Sequence, residues 1–145
     1  MSVFTWPARV YWEDTDGGAV VYYANYLRFL ERSRTEWLRA HGHSQRELSR
    51  EPGILFIVVR LEVDYRAPAR LDDELEITSE PRPEGAASLR FAQRIYRVPR
   101  GAATARDLLV EANVRVACVD AQSLKPRRLP QFLLDAVTRE TGHDG

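Results

Sequence analysis

The sequence holds a single cysteine, Cys118, which excludes an internal disulfide and leaves too few thiolates for a metal cluster. It has no charge excess: 21 basic side chains stand against 21 acidic ones. That balance excludes nucleic acid as the main partner, since neutralising phosphates takes a basic surplus, although a local basic spot can still hold a small anion. No run approaches the roughly 20 apolar residues that cross a bilayer. Met1 to Pro7 lacks both the positive start and the apolar stretch of a signal peptide. There is no internal repeat and no low-complexity linker. The expectation is one cytoplasmic globular domain, residues 1–145, with 44% hydrophobic residues to build its core.

What is present divides by periodicity. Arg9-Val10-Tyr11-Trp12 is rich in strand formers and reads as the end of a first strand. Asp14-Thr15-Asp16-Gly17-Gly18 forms a turn cluster. Tyr23, Tyr26, Leu27, Leu30, Arg34, Trp37 and Leu38 then recur at helical spacing, which predicts a helix from about Tyr23 to Ala40, ended by His41-Gly42. Phe29 lies off that stripe, so this helix must be covered from more than one side. Ser44-Gln45-Arg46-Glu47 has capping-box spacing and opens a short second helix.

Alternation dominates the remainder. Ile57, Val59, Leu61, Val63 and Tyr65 alternate with Val58, Arg60, Glu62 and Asp64; Leu75 and Ile77 follow a turn at Ala67 to Asp73. Leu89, Phe91, Gln93 and Ile95 make one face of a third run, and Val110, Ala112, Val114, Val116 and Cys118 make one face of a fourth. Such patterns predict half-buried strands, and the short links between them demand antiparallel pairing. Leu129 to Thr141, opened by Pro130, predicts a terminal helix. One buried helix against one antiparallel sheet is an α+β layout, and its free edges invite a second subunit.

Chemistry concentrates at Glu13, Asp14, Thr15 and Asp16, just before the long helix. A helix start offers unpaired amides and a partial positive charge. A carboxylate beside such amides suits acyl transfer: the amides hold an oxyanion while the carboxylate attacks or activates water. The competing reading makes Asp14 and Asp16 turn and capping residues only. An EF-hand loop from Asp14 would need Gly and Glu where Ala19 and Asn25 stand. A magnesium-binding Asp-x-Asp has no further ligand in evidence.

Asp14-Thr15-Asp16-Gly17-Gly18-Ala19-Val20-Val21-Tyr22-Tyr23-Ala24-Asn25-Tyr26 resembles the signature of the 4-hydroxybenzoyl-CoA thioesterase family, most nearly its Tol–Pal-associated, YbgC-type acyl-CoA thioesterases. That pattern is Asp-Thr-Asp, two residues, Gly, one residue, then Val-Tyr-His. The similarity continues through Tyr26-Leu27, Glu31 to Glu36, Ala67 to Asp73, Ser88-Leu89, Gln93-Arg94-Ile95, Lys125-Pro126-Arg127 and Leu129-Pro130. It implies a hotdog fold, in which an antiparallel sheet wraps a long central helix. It also implies dimers or tetramers with sites at subunit interfaces, and metal-free hydrolysis of acyl- or aroyl-CoA, coenzyme A being part of the substrate and no cofactor being needed. Asp16 occupies the family's catalytic position, and Tyr23 the position of its oxyanion-hole amide. Two departures stand out: the signature glycine is Ala19 and the histidine is Tyr23. The aroyl-specific branch also carries Tyr there, and a backbone donor does not depend on the side chain. The acyl preference of the histidine-bearing subgroup therefore does not transfer.

Other residues have plainer readings. Asp14 supports the turn. Glu31 matches a family position and either neighbours the site or pairs with Arg28 or Arg34 along the helix. Lys125, Arg127 and Arg128 meet the phosphates of coenzyme A or form a solvated basic loop. Cys118 is a buried, inert thiol. Capping or solvent exposure accounts for His41, His43 and His143. A hotdog dehydratase would use a histidine with an acid, and no histidine lies near the Asp cluster. A catalytically idle acyl-CoA-binding or scaffold protein is the alternative from a different class. The residues decide neither for nor against an association with acyl carrier protein or a membrane surface.

Overall fold

The computed structural model describes residues 3–102 and 104–141. The elements follow in the order β1 (Phe4–Arg9), two 3₁₀ turns (Trp12–Asp14 and Tyr23–Asn25), α1 (Tyr26–Ala40), α2 (Gln45–Arg50), β2 (Ile54–Tyr65), β3 (Glu74–Pro83), β4 (Ser88–Arg97), β5 (Asp107–Asp120) and α3 (Gln131–Thr141). The five strands make one antiparallel sheet, ordered β1-β3-β4-β5-β2. The first strand ends earlier than its composition suggests: Trp12 belongs to a 3₁₀ turn rather than to β1. The prolines sit where a missing N–H costs least. Pro7 is on the edge strand, and Pro81 and Pro83 lie in β3 beyond the last β1 pair, Phe4 with Ser79.

Helix α1 lies against the sheet. Phe29, Leu30 and Trp37 are each 1% exposed, and Phe29 is thus as buried as the stripe it departs from. Burying side chains of this size stabilises by roughly 1.5–3 kcal/mol each. Trp37 meets Phe91 edge-on at 5.5 Å between ring centroids. Within this apolar layer runs one polar seam. Ser33 Oγ and Ser79 Oγ are 2.8 Å apart, and Gln93 Nε2 donates to Ser79 Oγ and to the Leu30 carbonyl. Arg34 Nη1 donates to Gln93 Oε1 at 3.0 Å. The helix ends as expected: Gly42 has φ +91°, and the His43 N–H reaches back to the Leu38 carbonyl. Ser44 caps α2 by accepting from the Glu47 N–H.

The strand β2 differs from its expected half-buried pattern. It is the sheet edge, and Ile57, Val58, Val59 and Leu61 are 38–56% exposed. Its register also shifts at a bulge between Val58 and Arg60. Phe56 and Val58 lie opposite Cys118 and Val116, whereas Leu61 and Val63 lie opposite Val114 and Ala112. All four partners are buried, so the helix-facing set changes parity at Val59. Ile57 and Val59 therefore do not belong to the face that Leu61 and Val63 form. No helix among the described residues is long and apolar enough to cross a membrane.

Candidate active site

The loop before α1 is a small hairpin. Thr15 and Val21 bridge antiparallel, the Asp16 N–H donates to the Val20 carbonyl, and the Tyr22 N–H donates to the Asp14 carbonyl, both at 3.0 Å. Gly17 and Gly18 form the tip at φ +101° and +95°. A Cβ on Gly18 would collide with the Trp12 ring, so only glycine closes this loop under the indole. Thr15 Oγ1 ties the tip together, donating to the Trp12 carbonyl and accepting from the Gly18 N–H.

The two aspartates diverge. Asp14 is 6% exposed and spends both oxygens: Oδ2 accepts from the Tyr11 N–H and Oδ1 from Asn25 Nδ2. It joins the 3₁₀ turn to the helix start. Asp16 is exposed, and its carboxylate accepts no hydrogen bond among the described residues. The Tyr23 N–H, at the opening of the second 3₁₀ turn, likewise has no partner among them. The hairpin brings Asp16 back beside Val20, three residues before that amide.

A second loop, Ala67 to Asp73, braces the first. The Val21 N–H donates to the Ala69 carbonyl, and the Ala69 N–H donates to the Tyr26 hydroxyl at 2.9 Å. Burial raises the Tyr26 phenol above its ordinary pKa, with the Ala69 N–H pulling the other way. Asp73, 6% exposed, stiffens the brace by accepting from the Arg70 N–H and from Arg97 Nη1. Tyr65, at the end of β2, donates its hydroxyl to the Tyr23 carbonyl at 3.1 Å. Periodicity gave no sign of Tyr26, Tyr65 and Asp73 as supports, because their partners come from distant segments.

The remaining expected residues lie elsewhere. Glu31 Oε2 accepts from Thr35 Oγ1 at 2.6 Å and forms no ion pair with Arg28 or Arg34 among the described residues. Lys125, Arg127 and Arg128 follow β5, at the Ile54 end of β2 and away from Tyr65. Arg127 Nη1 is committed to the Pro52 and Gly53 carbonyls, both at 2.9 Å, whereas Lys125 and Arg128 are exposed. Cys118 is fully buried, and burial pushes its thiol up, against a smaller opposing pull from Arg127. His41 stacks on Trp37, and His43 on Phe132; His143 lies outside the described residues.

The model of the thioesterase-like superfamily matches residues 10–137. The chain belongs to that family. Over 133 residues it is 48% identical to the acyl-CoA thioester hydrolase YbgC of Shigella flexneri, covering 92% of this chain and 94% of that one. The solved 1,4-dihydroxy-2-naphthoyl-CoA thioesterase from Synechocystis superposes with a TM-score of 0.84 at 25% identity, covering 98% of this chain and 99% of that one. The 4-hydroxybenzoyl-CoA thioesterase of a Pseudomonas strain shares the fold, with a TM-score of 0.83 at 21% identity over 94% of this chain and 99% of the other. The five-stranded sheet with its long helix is thus the hotdog fold that the Asp-Thr-Asp motif implied, in a thioesterase of YbgC type.

Proposed function

We propose that the chain hydrolyses the thioester of an acyl- or aroyl-CoA, with Asp16 as nucleophile or general base and the Tyr23 N–H as oxyanion donor. The observation that carries this reading is the contrast within the hairpin. The Asp14 carboxylate and the Thr15 hydroxyl are spent on the loop, while the Asp16 carboxylate and the Tyr23 N–H, joined by the short hairpin, have no partner among the described residues. Water oxygen forms the new C–O bond, the C–S bond breaks, and coenzyme A leaves as the thiol. As general base, Asp16 takes the water proton and returns it to the sulfur; as nucleophile, it forms an anhydride that water then opens. The Tyr23 amide, at a helix start, meets the oxygen on which charge develops.

A homodimer through β2 completes this site. The exposed strand middle, Ile57 to Leu61, is an apolar edge that pairing would cover. Antiparallel pairing centred near Val59 sets Tyr65 opposite about the partner's Gly53. The basic loop of one chain then approaches the Asp16 hairpin of the other, and Lys125 and Arg128 become able to meet coenzyme A phosphates. Arg127, already engaged, shapes that loop.

The test is thioester hydrolysis by free-thiol release across acyl- and aroyl-CoA substrates, with Asp16→Asn beside the parent. Hydrolysis by the parent that drops at least ~100-fold in kcat, with binding of a non-hydrolysable acyl-CoA retained, is the expected result. A folded Asp16→Asn protein of parental activity would remove Asp16 from the mechanism. A parent that binds acyl-CoA and hydrolyses none would make it a binding protein.

A further inference from the structure

The Tyr23 N–H has no partner among the described residues, and a lone amide stabilises an oxyanion only when it is aimed. Two contacts set its aim, one on each side of the residue. A trans peptide unit is planar, so its carbonyl and its N–H point in opposite directions. The Tyr22 carbonyl, in the same peptide unit as the Tyr23 N–H, accepts from the Asn25 N–H at 2.8 Å. That bond turns the carbonyl into the 3₁₀ turn and the Tyr23 N–H out of it. The Asn25 side chain is tied in turn to Asp14. On the other side, the Tyr23 carbonyl accepts from the Tyr65 hydroxyl at 3.1 Å, 42 positions later in the chain. The Tyr65 ring meets the Tyr23 ring edge-on at 6.4 Å between centroids and the Tyr26 ring at 5.5 Å. Both neighbours of this ring are anchored. Tyr26 is held by the Ala69 N–H, which donates to its hydroxyl, and the Tyr65 backbone lies opposite the fully buried Val110 of β5. Tyr65 thus joins the sheet and α1 to one exposed turn residue. It covers little surface in doing so: Tyr65 is 47% exposed and Tyr23 64%. Water replaces a hydrogen bond at such a site with little loss, so this one adds little to stability. Water does not replace the direction that the bond gives to Tyr23.

We infer that Tyr65 is a positioning residue for the oxyanion donor: by holding the Tyr23 carbonyl and ring, it keeps the Tyr23 N–H directed at the thioester oxygen. The inference rests on the proposed function, which gives that N–H its role. Tyr65 touches no reacting atom and acts through Tyr23 alone. Charge builds on the oxygen in the transition state and not in the bound thioester. The aim of the amide therefore registers in kcat rather than in KM. Loss of aim is costly at such a donor, because a hydrogen bond weakens steeply as its angle departs from linear.

The experiment is Tyr65→Phe, which removes one oxygen and keeps both ring contacts. Hydrolysis is followed by free-thiol release, stability by thermal melts, and the Tyr23 amide by NMR relaxation in tyrosine-labelled protein. The kcat should fall about threefold to tenfold, the range of one hydrogen bond, with KM within about twofold and Tm nearly unchanged. The Tyr23 order parameter should fall from about 0.85, the value of rigid backbone, toward the flexible range below about 0.6. A trifluoromethyl ketone analogue of acyl-CoA, whose carbonyl carbon takes up water or a carboxylate to give a tetrahedral oxyanion, should lose affinity by the same factor as kcat. The matching thioether without the ketone should bind unchanged. A parental kcat with a parental Tyr23 order parameter would overturn the inference. So would a raised KM at unchanged kcat, which would put Tyr65 on the substrate. Equal weakening of both ligands, or a clear fall in Tm, would make Tyr65 a structural residue and also overturn it. The ligand pair and the relaxation data need no turnover. They decide the role of Tyr65 even in a parent that hydrolyses no thioester, a result that would refute the hydrolase reading by itself.

Discussion

The two ends of α1 solve opposite problems with the same materials. At the N-terminal end, hydrogen bonds at Asp14, Thr15 and Tyr26 fasten the backbone, while the Asp16 carboxylate and the Tyr23 N–H keep no partner among the described residues. At the C-terminal end, the side chains close over a cavity, and the polar seam of Ser33, Ser79 and Gln93 is satisfied inside the core. The difference teaches where each kind of change should register. The open end carries reactive groups that contribute little to packing, so its loss is kinetic. The closed end carries contacts that an unfolded chain cannot make, so its loss is thermodynamic.

The sharpest way to break the contrast is Asp16→Asn, which keeps size and removes charge. The expected loss in kcat is at least ~100-fold with Tm nearly unchanged, measured by thiol release and thermal melts. At the closed end, Gln93→Leu strips acceptors and donors from Arg34, Ser79 and the Leu30 carbonyl together. It should lower stability by about 2–3 kcal/mol in urea unfolding, with kcat in the folded fraction within a few-fold of the parent. Asp14→Asn tests the boundary between the two behaviours. One amide oxygen cannot serve both Tyr11 N–H and Asn25 Nδ2, so about 1–2 kcal/mol of stability should go, with a smaller fall in kcat than for Asp16→Asn. Lys125→Ala with Arg128→Ala should raise KM severalfold with little change in kcat, the mark of lost uniform binding; an unchanged KM would return the loop to solvent. Arg127→Ala should instead lower Tm, because its bonds are to the Pro52 and Gly53 carbonyls. The smallest effect should be at Cys118. Its buried, raised thiol should resist a thiol reagent at pH 8 in the native protein and react only on unfolding.

Much of this was legible in the residues. The alternation of Leu89, Phe91, Gln93 and Ile95 placed four side chains on one face, and all four are at most 3% exposed. Gln93 belonged to that face although it is polar, and only its three hydrogen bonds, with Leu30, Ser79 and Arg34, explain why it can. Spacing alone located the loop without separating Asp14 from Asp16; the family resemblance assigned catalysis to Asp16 and turn support to Asp14. The structure adds that Asp14 is tied to Asn25, a residue 11 positions away, and that Asp16 is not.

By itself, the sequence determined the element order, the antiparallel α+β layout, the C-terminal end of α1 and the position of the Asp16 motif, while the expected helix start at Tyr23 is a 3₁₀ turn and α1 begins at Tyr26. Those follow from local propensity and from hydrophobic period, which act over a few residues. Tertiary structure decided the rest. It set the parity switch of β2, since a bulge at Val59 exists only relative to the partner strand β5. It made β2 an exposed edge, committed Arg127 to a backbone turn 75 residues earlier in the chain, and brought Arg34 and Trp37 of α1 to one cavity with Phe56 and Leu133. Each of these depends on segments far apart in sequence meeting in space, and no local pattern carries that information.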